Sequence, residues 1–269
     1  MKRFLIGLCM LLCSAGCSTK VQYTAEQLAQ QYSFNKHIYR TAFFDLVGYA
    51  KGYGGKQLVV YIEGDGRAWV TRTRPSFDPT PKPPLAFALA AQDPSPNVLY
   101  LARPCQYTQE NLCNRNCVTA FWTSARMGEH VIAAIDAAID TAKKQTGATA
   151  IDLVGYSGGG GVALLVASRR DDVVRIRTVA GNLNTDLWVA LHGISPLKDS
   201  LNPVSVAPLL TTIPQMHYIG SDDRIIPQEI ALSYKMAAPS SLVRLKVVSQ
   251  TTHYSGWVHA WKELVQGRE

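Results

Sequence analysis

A single serine stands among glycines at residues 151–161, which read IDLVGYSGGGG. The apolar start suits a buried strand, and the small residues after Ser157 suit a helix that begins at once. In such a sharp turn the hydroxyl projects above the strand end, and Gly155 and Gly159 leave room for the helix. The pattern predicts a nucleophile elbow. A glycine-rich turn with an idle serine is the alternative, and a phosphate-binding loop would need a lysine after the glycines.

A serine nucleophile requires a base to take its proton and an acid to orient that base. After a nucleophile elbow both follow in the chain, the acid before the histidine. Two histidines, His253 and His259, follow the best acidic residues. His253 lies in a polar turn after an apolar run, at the sheet edge where ligands bind, so it is the predicted base. His259 lies in a predicted helix beside Trp257 and Trp261 and is predicted to be a packed or surface residue.

The acid is expected in residues 220–227, GSDDRIIP, where a predicted strand ends in a glycine turn and a proline precedes the next helix. Together with the motifs around Ser157 and His253, this segment makes the chain resemble the α/β-hydrolase superfamily over residues 40–265. The resemblance is in particular to its exported, lipoprotein-type bacterial members. These proteins often carry Gly-x-x-Asp with a proline four residues after the aspartate. Asp223 fits both distances. The resemblance therefore implies that Asp223 orients His253 and that Asp222 is a turn or N-cap residue.

The resemblance also implies an oxyanion hole with two backbone donors. One is the N–H of Gly158, directly after the nucleophile. The other belongs to residues 63–66, EGDG, which follow a predicted strand where many family members carry His-Gly-x-Gly. Here Glu63 replaces the histidine, and the N–H of Asp65 is the predicted donor, with Gly66 as the alternative.

The acidic side chains of Glu63 and Asp65 conflict with this role. A carboxylate aimed at a developing oxyanion would repel it. Both side chains are therefore predicted to turn away from the substrate, toward Arg67 or Arg103.

Apolar, β-rich runs alternate with helical patterns along the chain, which predicts an α/β fold of the α/β-hydrolase type. Its sheet would be mostly parallel, with helices on both faces. The strands are predicted at residues 39–47, 58–62, 98–101, 151–154, 176–179, 215–219 and 242–248. The helices are predicted at residues 25–31, 124–144, 160–169, 228–236 and 256–265. Two irregular insertions, 71–84 and 182–212, either form walls of a pocket or pack at the sheet edges.

The implied chemistry is acyl transfer without a metal or organic cofactor, on a small-molecule carboxylic ester. A peptidase or thioesterase of the same fold and a non-catalytic envelope lipoprotein that uses the fold for binding are the alternatives. An interfacial lipase would place a lid at residues 182–212, but that segment carries many polar residues.

Composition and charge restrict the class of partner. The chain has 269 residues, 47% of them hydrophobic, which is enough for one large core. Its net charge of +7 is the difference between 27 lysines and arginines and 20 acidic residues, and the cations are scattered rather than clustered. Scattered cations indicate a solvated surface and not a nucleic-acid groove, and an anionic membrane surface is the better partner.

The first residues predict export. A positive start at Lys2 and Arg3 precedes an apolar run at residues 4–12, which is too short to span a bilayer. Small residues then precede Cys17, as in bacterial lipoprotein signals, so residues 1–16 would be a signal peptide and Cys17 would carry lipid. Residues 17–36 would be a tether that includes a short helix, and residues 37–269 the folded domain. Ordinary secretion stays open, because Ser14 stands where lipoprotein signals usually have leucine.

The expected location is the cell envelope, with the outer membrane favoured because Ser18, and not aspartate, follows Cys17. In this oxidising compartment one disulfide is expected among Cys105, Cys113 and Cys117. The sequence does not choose the pair. Zinc is not predicted, because the two spacings, of seven and three residues, lack the usual close cysteine pair and no nearby histidine completes a ligand set.

Overall fold

The computed structural model describes residues 23–52, 54–108 and 115–266. Its central feature is an eight-stranded sheet with the order β1-β2-β4-β3-β5-β6-β7-β8. Pairs β1/β2 and β2/β4 are antiparallel, and the other five neighbouring pairs are parallel. The strands are β1 Asn35–Arg40, β2 Asp45–Lys51, β3 Gln57–Ile62, β4 Val98–Leu101, β5 Ala150–Tyr156, β6 Val173–Val179, β7 Gln215–Gly220 and β8 Val243–Val248.

Helices cover both faces of this sheet, which confirms the predicted fold class. They are α1 Ala25–Tyr32, α2 Leu85–Ala91, α3 Glu129–Thr146, α4 Gly158–Ala167, α5 Thr185–His192, α6 Gln228–Ala237 and α7 Trp257–Leu264. Helices α3, α4 and α6 contribute to one apolar core, and α1, α2 and α7 contribute to the other. Along β3, Leu58 and Val60 enter the first core whereas Val59 and Tyr61 enter the second. Burial on both faces explains why the central strands have continuous apolar sequences.

Several local predictions are wrong in their bounds, among them the strand predicted at residues 176–179, which begins at Val173. The strand predicted at residues 39–47 is the end of β1 and the start of β2, because Thr41 closes a turn by accepting a hydrogen bond from the Phe44 N–H at 3.1 Å. The helix predicted at residues 124–144 begins only at Glu129, because Gly128 has extended backbone angles. The helix predicted at residues 160–169 begins earlier, at Gly158, directly after the serine.

Helix α2 was not predicted. Its sequence, LAFALAA, has no polar side chain, and all seven residues are buried. A helix that is apolar all round shows no helical periodicity, so the pattern that identifies surface helices is missing.

One predicted insertion, residues 182–212, contains more regular structure than expected. Residues 182–212 include α5 and a 3₁₀ segment at Pro203–Leu210. The helix expected within the predicted tether is α1, and its residues Ala25, Leu28 and Ala29 are buried in the second core. The described part of the tether therefore packs onto the domain.

Several predictions fall beyond the described ranges. The signal at residues 1–16, the lipid site Cys17 and the disulfide candidate Cys113 lie outside them. A disulfide joins the other two candidates, Cys105 and Cys117. Within the described ranges, no helix has the length and apolar character needed to cross a bilayer. The same ranges hold no cluster of three acidic, histidine or cysteine side chains arranged to bind a metal ion.

Candidate active site

Ser157 occupies the turn between β5 and α4 with φ 53° and ψ −123°. A positive φ is costly for a residue with a side chain, so the surrounding structure must hold it. The neighbouring chain comes close enough to require glycine on either side of the turn. A Cβ at Gly155 would lie 2.2 Å from the carbonyl oxygen of Gly159, and a Cβ at Gly159 would lie 2.3 Å from that of Ile62. The glycines thus allow the sharp turn that presents Ser157 at the strand end.

The hydroxyl of Ser157 lies beside the imidazole of His253, with 3.0 Å between Oγ and Nε2. On the other side of the ring, Nδ1 of His253 lies 2.9 Å from Oδ2 of Asp223. His253 and Asp223 are only 5% and 7% exposed, so water competes little for these contacts. The structure therefore brings the three residues predicted from sequence into one hydrogen-bonded row.

Asp223 follows β7, and its second carboxylate oxygen is fixed by backbone. Oδ1 accepts hydrogen bonds from the N–H groups of Ile225 at 2.8 Å and Ile226 at 2.9 Å. This leaves Oδ2 for the histidine. The neighbouring Asp222 is exposed and accepts a hydrogen bond from the hydroxyl of Ser221, as expected of a turn residue.

Two hydrogen bonds that the sequence did not predict hold the loop of His253. The hydroxyl of Tyr156 donates to the carbonyl oxygen of His253 at 2.9 Å, and Nε1 of Trp257 donates to that of Thr252 at 2.7 Å. Burial raises the pKa of Tyr156, so its hydroxyl stays protonated and able to donate. The side chain before Ser157 therefore also positions the histidine, a role with no sequence signal besides its adjacency to the serine.

The two acidic side chains of residues 63–66 point in different directions. Glu63 is buried, accepts from the Gly64 N–H at 2.8 Å and from the hydroxyl of Tyr100 at 3.1 Å, and contacts neither predicted arginine. Burial raises the pKa of Glu63 to about 7. Asp65 makes the predicted ion pair with Arg103, at 3.3 Å, and a closer, unpredicted one with Arg126, at 2.8 Å.

Burial alone would raise the pKa of Asp65, but the guanidinium groups of Arg126 and Arg103 hold it below its ordinary value. The carboxylate is thus kept ionised. Its backbone N–H, the predicted oxyanion donor, donates no hydrogen bond to any described residue. A further hydrogen bond holds the loop of residues 63–66, because Nε2 of Gln106 donates to the carbonyl oxygen of Gly64 at 3.0 Å. Gln106 directly follows Cys105, which forms the disulfide.

A cavity of about 410 Å³ opens above Ser157 and His253. Both predicted insertions contribute to it, through Pro81, Lys82 and Pro83 from one and Asn182 and Trp188 from the other. Its lining also includes Arg126, which sequence reasoning did not select. The cavity is large enough for a small organic substrate.

Comparison with known proteins identifies the fold that carries this site. No protein-family model matches the sequence, and no curated protein matches it either. Solved structures are similar to it. The esterase Pf2001 of Pyrococcus furiosus superposes with a TM-score of 0.62 and 15% identity, over 88% of this chain and 92% of that one. The chain has the α/β-hydrolase fold.

Two further structures agree. Est1E of Butyrivibrio proteoclasticus has a TM-score of 0.60 and 14% identity, over 86% of this chain and 96% of its own. An alpha-beta serine hydrolase homologue from Coxiella burnetii has a TM-score of 0.58 and 14% identity, over 86% of this chain and 95% of its own. In this α/β-hydrolase fold, Ser157, Asp223 and His253 all follow parallel strands at their carboxyl ends, where ligands bind.

Two other histidines lie away from this edge. His217, on β7 of the α/β-hydrolase sheet, is buried with Nδ1 2.8 Å from the hydroxyl of Thr178. Burial lowers the pKa of His217 to about 3, so it is a neutral core residue. His259 is exposed on α7.

Proposed function

We propose that the protein is a serine hydrolase that cleaves a carboxylic ester through an acyl-enzyme. The observation that carries this proposal is the hydrogen-bonded row from Ser157 through His253 to Asp223. One of the similar structures, Pf2001 of Pyrococcus furiosus, is described as an esterase, which supports the ester class.

In the first half-reaction the Oγ–H proton of Ser157 passes to Nε2 of His253 as Oγ bonds to the ester carbonyl carbon. The π electrons of the carbonyl move to its oxygen. When the tetrahedral intermediate collapses, the bond to the alcohol oxygen breaks and His253 protonates that oxygen. In the second half-reaction His253 takes a proton from water as the water oxygen bonds to the acyl carbon. The bond to Oγ of Ser157 then breaks and His253 protonates that oxygen, which releases the acid and restores the enzyme.

Asp223 acts on the imidazole and not on the substrate. A carboxylate only accepts hydrogen bonds, so its contact with Nδ1 selects the tautomer that carries its proton there. Nε2 is then free to accept the serine proton. The same carboxylate stabilises the imidazolium that forms during the reaction.

The developing oxyanion would be bound by backbone N–H groups of Gly158 and Asp65. Gly158 is the first residue of α4, where N–H groups lack intrahelical partners and the helix dipole favours negative charge. Removal of one such donor typically costs about 3 kcal/mol of transition-state stabilisation. The carboxylate of Asp65 lies close to Gly158, and the positive charges of Arg103 and Arg126 offset its repulsion of the oxyanion.

The test is covalent labelling of the purified protein with an uncharged fluorophosphonate. Wild type is expected to react, whereas Ser157→Ala and His253→Ala are not. Ser221→Ala is the matched control, because this exposed serine lies close to Asp223 but outside the row. Equal labelling of Ser157→Ala and wild type, or no labelling and no ester hydrolysis by folded wild type, would reject the proposal.

We also propose that the chain is exported and anchored in the bacterial cell envelope, preferably the outer membrane, by lipid on Cys17. The motif at residues 1–17 supports this. Growth with an alkyne analogue of palmitate should label wild type in the membrane fraction but not Cys17→Ser. An unlabelled, soluble wild-type protein would instead indicate ordinary secretion.

A further inference from the structure

We infer that the substrate of this site carries an anionic group close to its scissile carbonyl, and that the guanidinium of Arg126 binds it. The inference rests on the proposed function and adds a substrate class to it. An ester that also bears a carboxylate has the required chemistry.

Arg126 is linked to the oxyanion side of the site through one carboxylate. A Cβ at Gly158 would lie 2.2 Å from Oδ1 of Asp65, so that carboxylate is packed against the residue after the serine. The other oxygen of Asp65 accepts from Nη1 of Arg126 at 2.8 Å. The guanidinium therefore lies one side chain away from the backbone that would bind the oxyanion.

Two nitrogens of the Arg126 guanidinium have hydrogen-bond partners and hold it in place, whereas the third has none among the described residues. Its Nε donates to the carbonyl oxygen of Thr123 at 2.7 Å, and its Nη1 donates to Asp65. The guanidinium also lies 5.7 Å from the ring of Trp188, a distance at which a cation is attracted to the ring. No acceptor among the described residues bonds to Nη2 of Arg126, and the residue lines the cavity. One donor group is thus available to a ligand.

The charged side chains around the cavity are net positive, although the buried carboxyl of Glu63 also lines it. Asp65 is a single carboxylate shared by two guanidiniums, those of Arg103 and Arg126, so this buried cluster has one positive charge in excess. A lone arginine would suffice to neutralise Asp65. Two further cations, Arg67 and Lys82, are exposed at the cavity, and neither forms an ion pair within the described ranges. A cavity lined by excess positive charge raises the local concentration of anions.

An unpaired amide supplies a second polar contact. Asn182 is 2% exposed, lines the cavity, and has an Oδ1 atom without a hydrogen-bond partner. Its position is fixed next to the nucleophile, because its backbone N–H donates to the carbonyl oxygen of Ser157 at 2.9 Å. A buried polar atom without a partner is costly, so a ligand group that completes its bonding is favoured. An amide oxygen only accepts hydrogen bonds, so Oδ1 of Asn182 requires a donor group on the ligand, such as a hydroxyl, besides the anionic group that Arg126 would bind.

The test uses two pairs of esters that differ within each pair by one charge. In the first, para-nitrophenyl hydrogen adipate and its methyl-capped diester place the charge on the acyl side. In the second, para-acetoxybenzoate and its methyl ester place it on the leaving group. Each kcat/KM is divided by the rate constant of the same ester with imidazole, so that intrinsic reactivity cancels. We expect the wild type to favour the anionic member of at least one pair by roughly tenfold, because a hydrogen bond to a charged group contributes that much.

The variants distinguish a loss of anion binding from a loss of activity on all esters. Arg126→Gln should lower the charge preference to about threefold, the part contributed by Arg67 and Lys82, whereas Arg126→Lys, which keeps the charge, should retain more of it. If Arg126→Gln does not fold, the double variant Arg67→Gln/Lys82→Gln at exposed positions still tests the proposal. We expect it to lower the charge preference by about threefold, and added salt should lower the preference of wild type by a similar factor. Its matched control is Arg244→Gln/Lys262→Gln, which removes two exposed cations that do not line the cavity and should leave the preference unchanged.

Three results would overturn the inference: no preference for either anionic ester in wild type, equal losses on charged and neutral esters in Arg126→Gln, or an equal effect of the control double variant. Labelling of Ser157 by the uncharged fluorophosphonate is measured on the same preparations. Labelling without charge preference rejects the anion site alone. Absence of labelling rejects the proposed function itself.

Discussion

The hydroxyl of Tyr156 donates a hydrogen bond to the backbone carbonyl of His253 across 97 positions of sequence. Tyr156 is the last residue of β5 and directly precedes Ser157. One end of this bond therefore belongs to the elbow and the other to the loop of the histidine. The bond therefore ties the loop of His253 to the elbow and helps to set the distance between the serine hydroxyl and the imidazole.

Removal of that hydroxyl should impair the reaction more than the fold. Tyr156→Phe leaves a buried carbonyl oxygen without its donor, which costs about 1–3 kcal/mol of unfolding free energy. The loop of His253 would gain freedom, and we expect kcat/KM for a neutral para-nitrophenyl ester to fall by about tenfold or more. Steady-state kinetics and urea unfolding measure the two effects.

Tyr254→Phe is the control for this change, since its ring also contacts His253 but the residue is 73% exposed. It should stay within about twofold of wild type. Full activity in Tyr156→Phe would show that the bond has no positioning role.

Asp223→Asn should lower kcat strongly while the fold persists. The side-chain oxygen of asparagine can still accept the two backbone bonds, but its NH₂ group would face Nδ1 and favour the wrong imidazole tautomer. A loss of roughly 10⁴-fold in kcat is expected. Asp222→Asn, one position away and exposed, should lose less than about twofold. Similar losses in the two variants would contradict the assignment of the acid.

Gly159→Ala should disrupt the elbow. The new Cβ would lie 2.3 Å from one backbone oxygen and 2.5 Å from another, and backbone cannot move aside as a flexible side chain can. We expect a loss of about 3 kcal/mol in unfolding free energy and loss of fluorophosphonate labelling.

Gly147→Ala gives the comparison. Gly147 has φ +70°, and a Cβ at this position would meet no atom within 4 Å, so the change costs about 1–2 kcal/mol through backbone strain alone. Labelling should survive this change. A stable, labelled Gly159→Ala protein would mean that the turn tolerates a side chain.

Glu63→Gln should stabilise the protein increasingly as pH rises. Burial raises the pKa of Glu63 from 4.5 to about 7, so the folded state holds this proton more tightly than the unfolded chain does. The resulting stability is fully present below about pH 4.5 and is lost as pH rises to about 7. Glutamine does not ionise and lacks this loss.

The difference in unfolding free energy between Glu63→Gln and wild type should therefore grow by about 3 kcal/mol between about pH 4 and about pH 8. Urea unfolding at both pH values measures it. A difference that does not change with pH would show that the carboxyl is solvated.

The local features of this protein were readable in its sequence. The elbow at Ser157 follows from apolar residues, a serine and glycines that are adjacent in the chain, and the buried strands follow from continuous apolar runs. The boundary errors also have local causes, such as the turn at Thr41. Helix α2 escaped prediction because a fully buried helix lacks a polar face.

The partners of each side chain were decided by tertiary structure. The sequence left three cysteines without a pairing, and the structure joins Cys105 to Cys117. It offered Arg67 and Arg103 to the acidic loop, and the fold supplied Arg126 as the closer partner of Asp65. Periodicity and turn chemistry act between neighbours in the chain, whereas these contacts depend on how strands from distant positions pair. Only the assembled sheet brings such side chains within hydrogen-bonding distance.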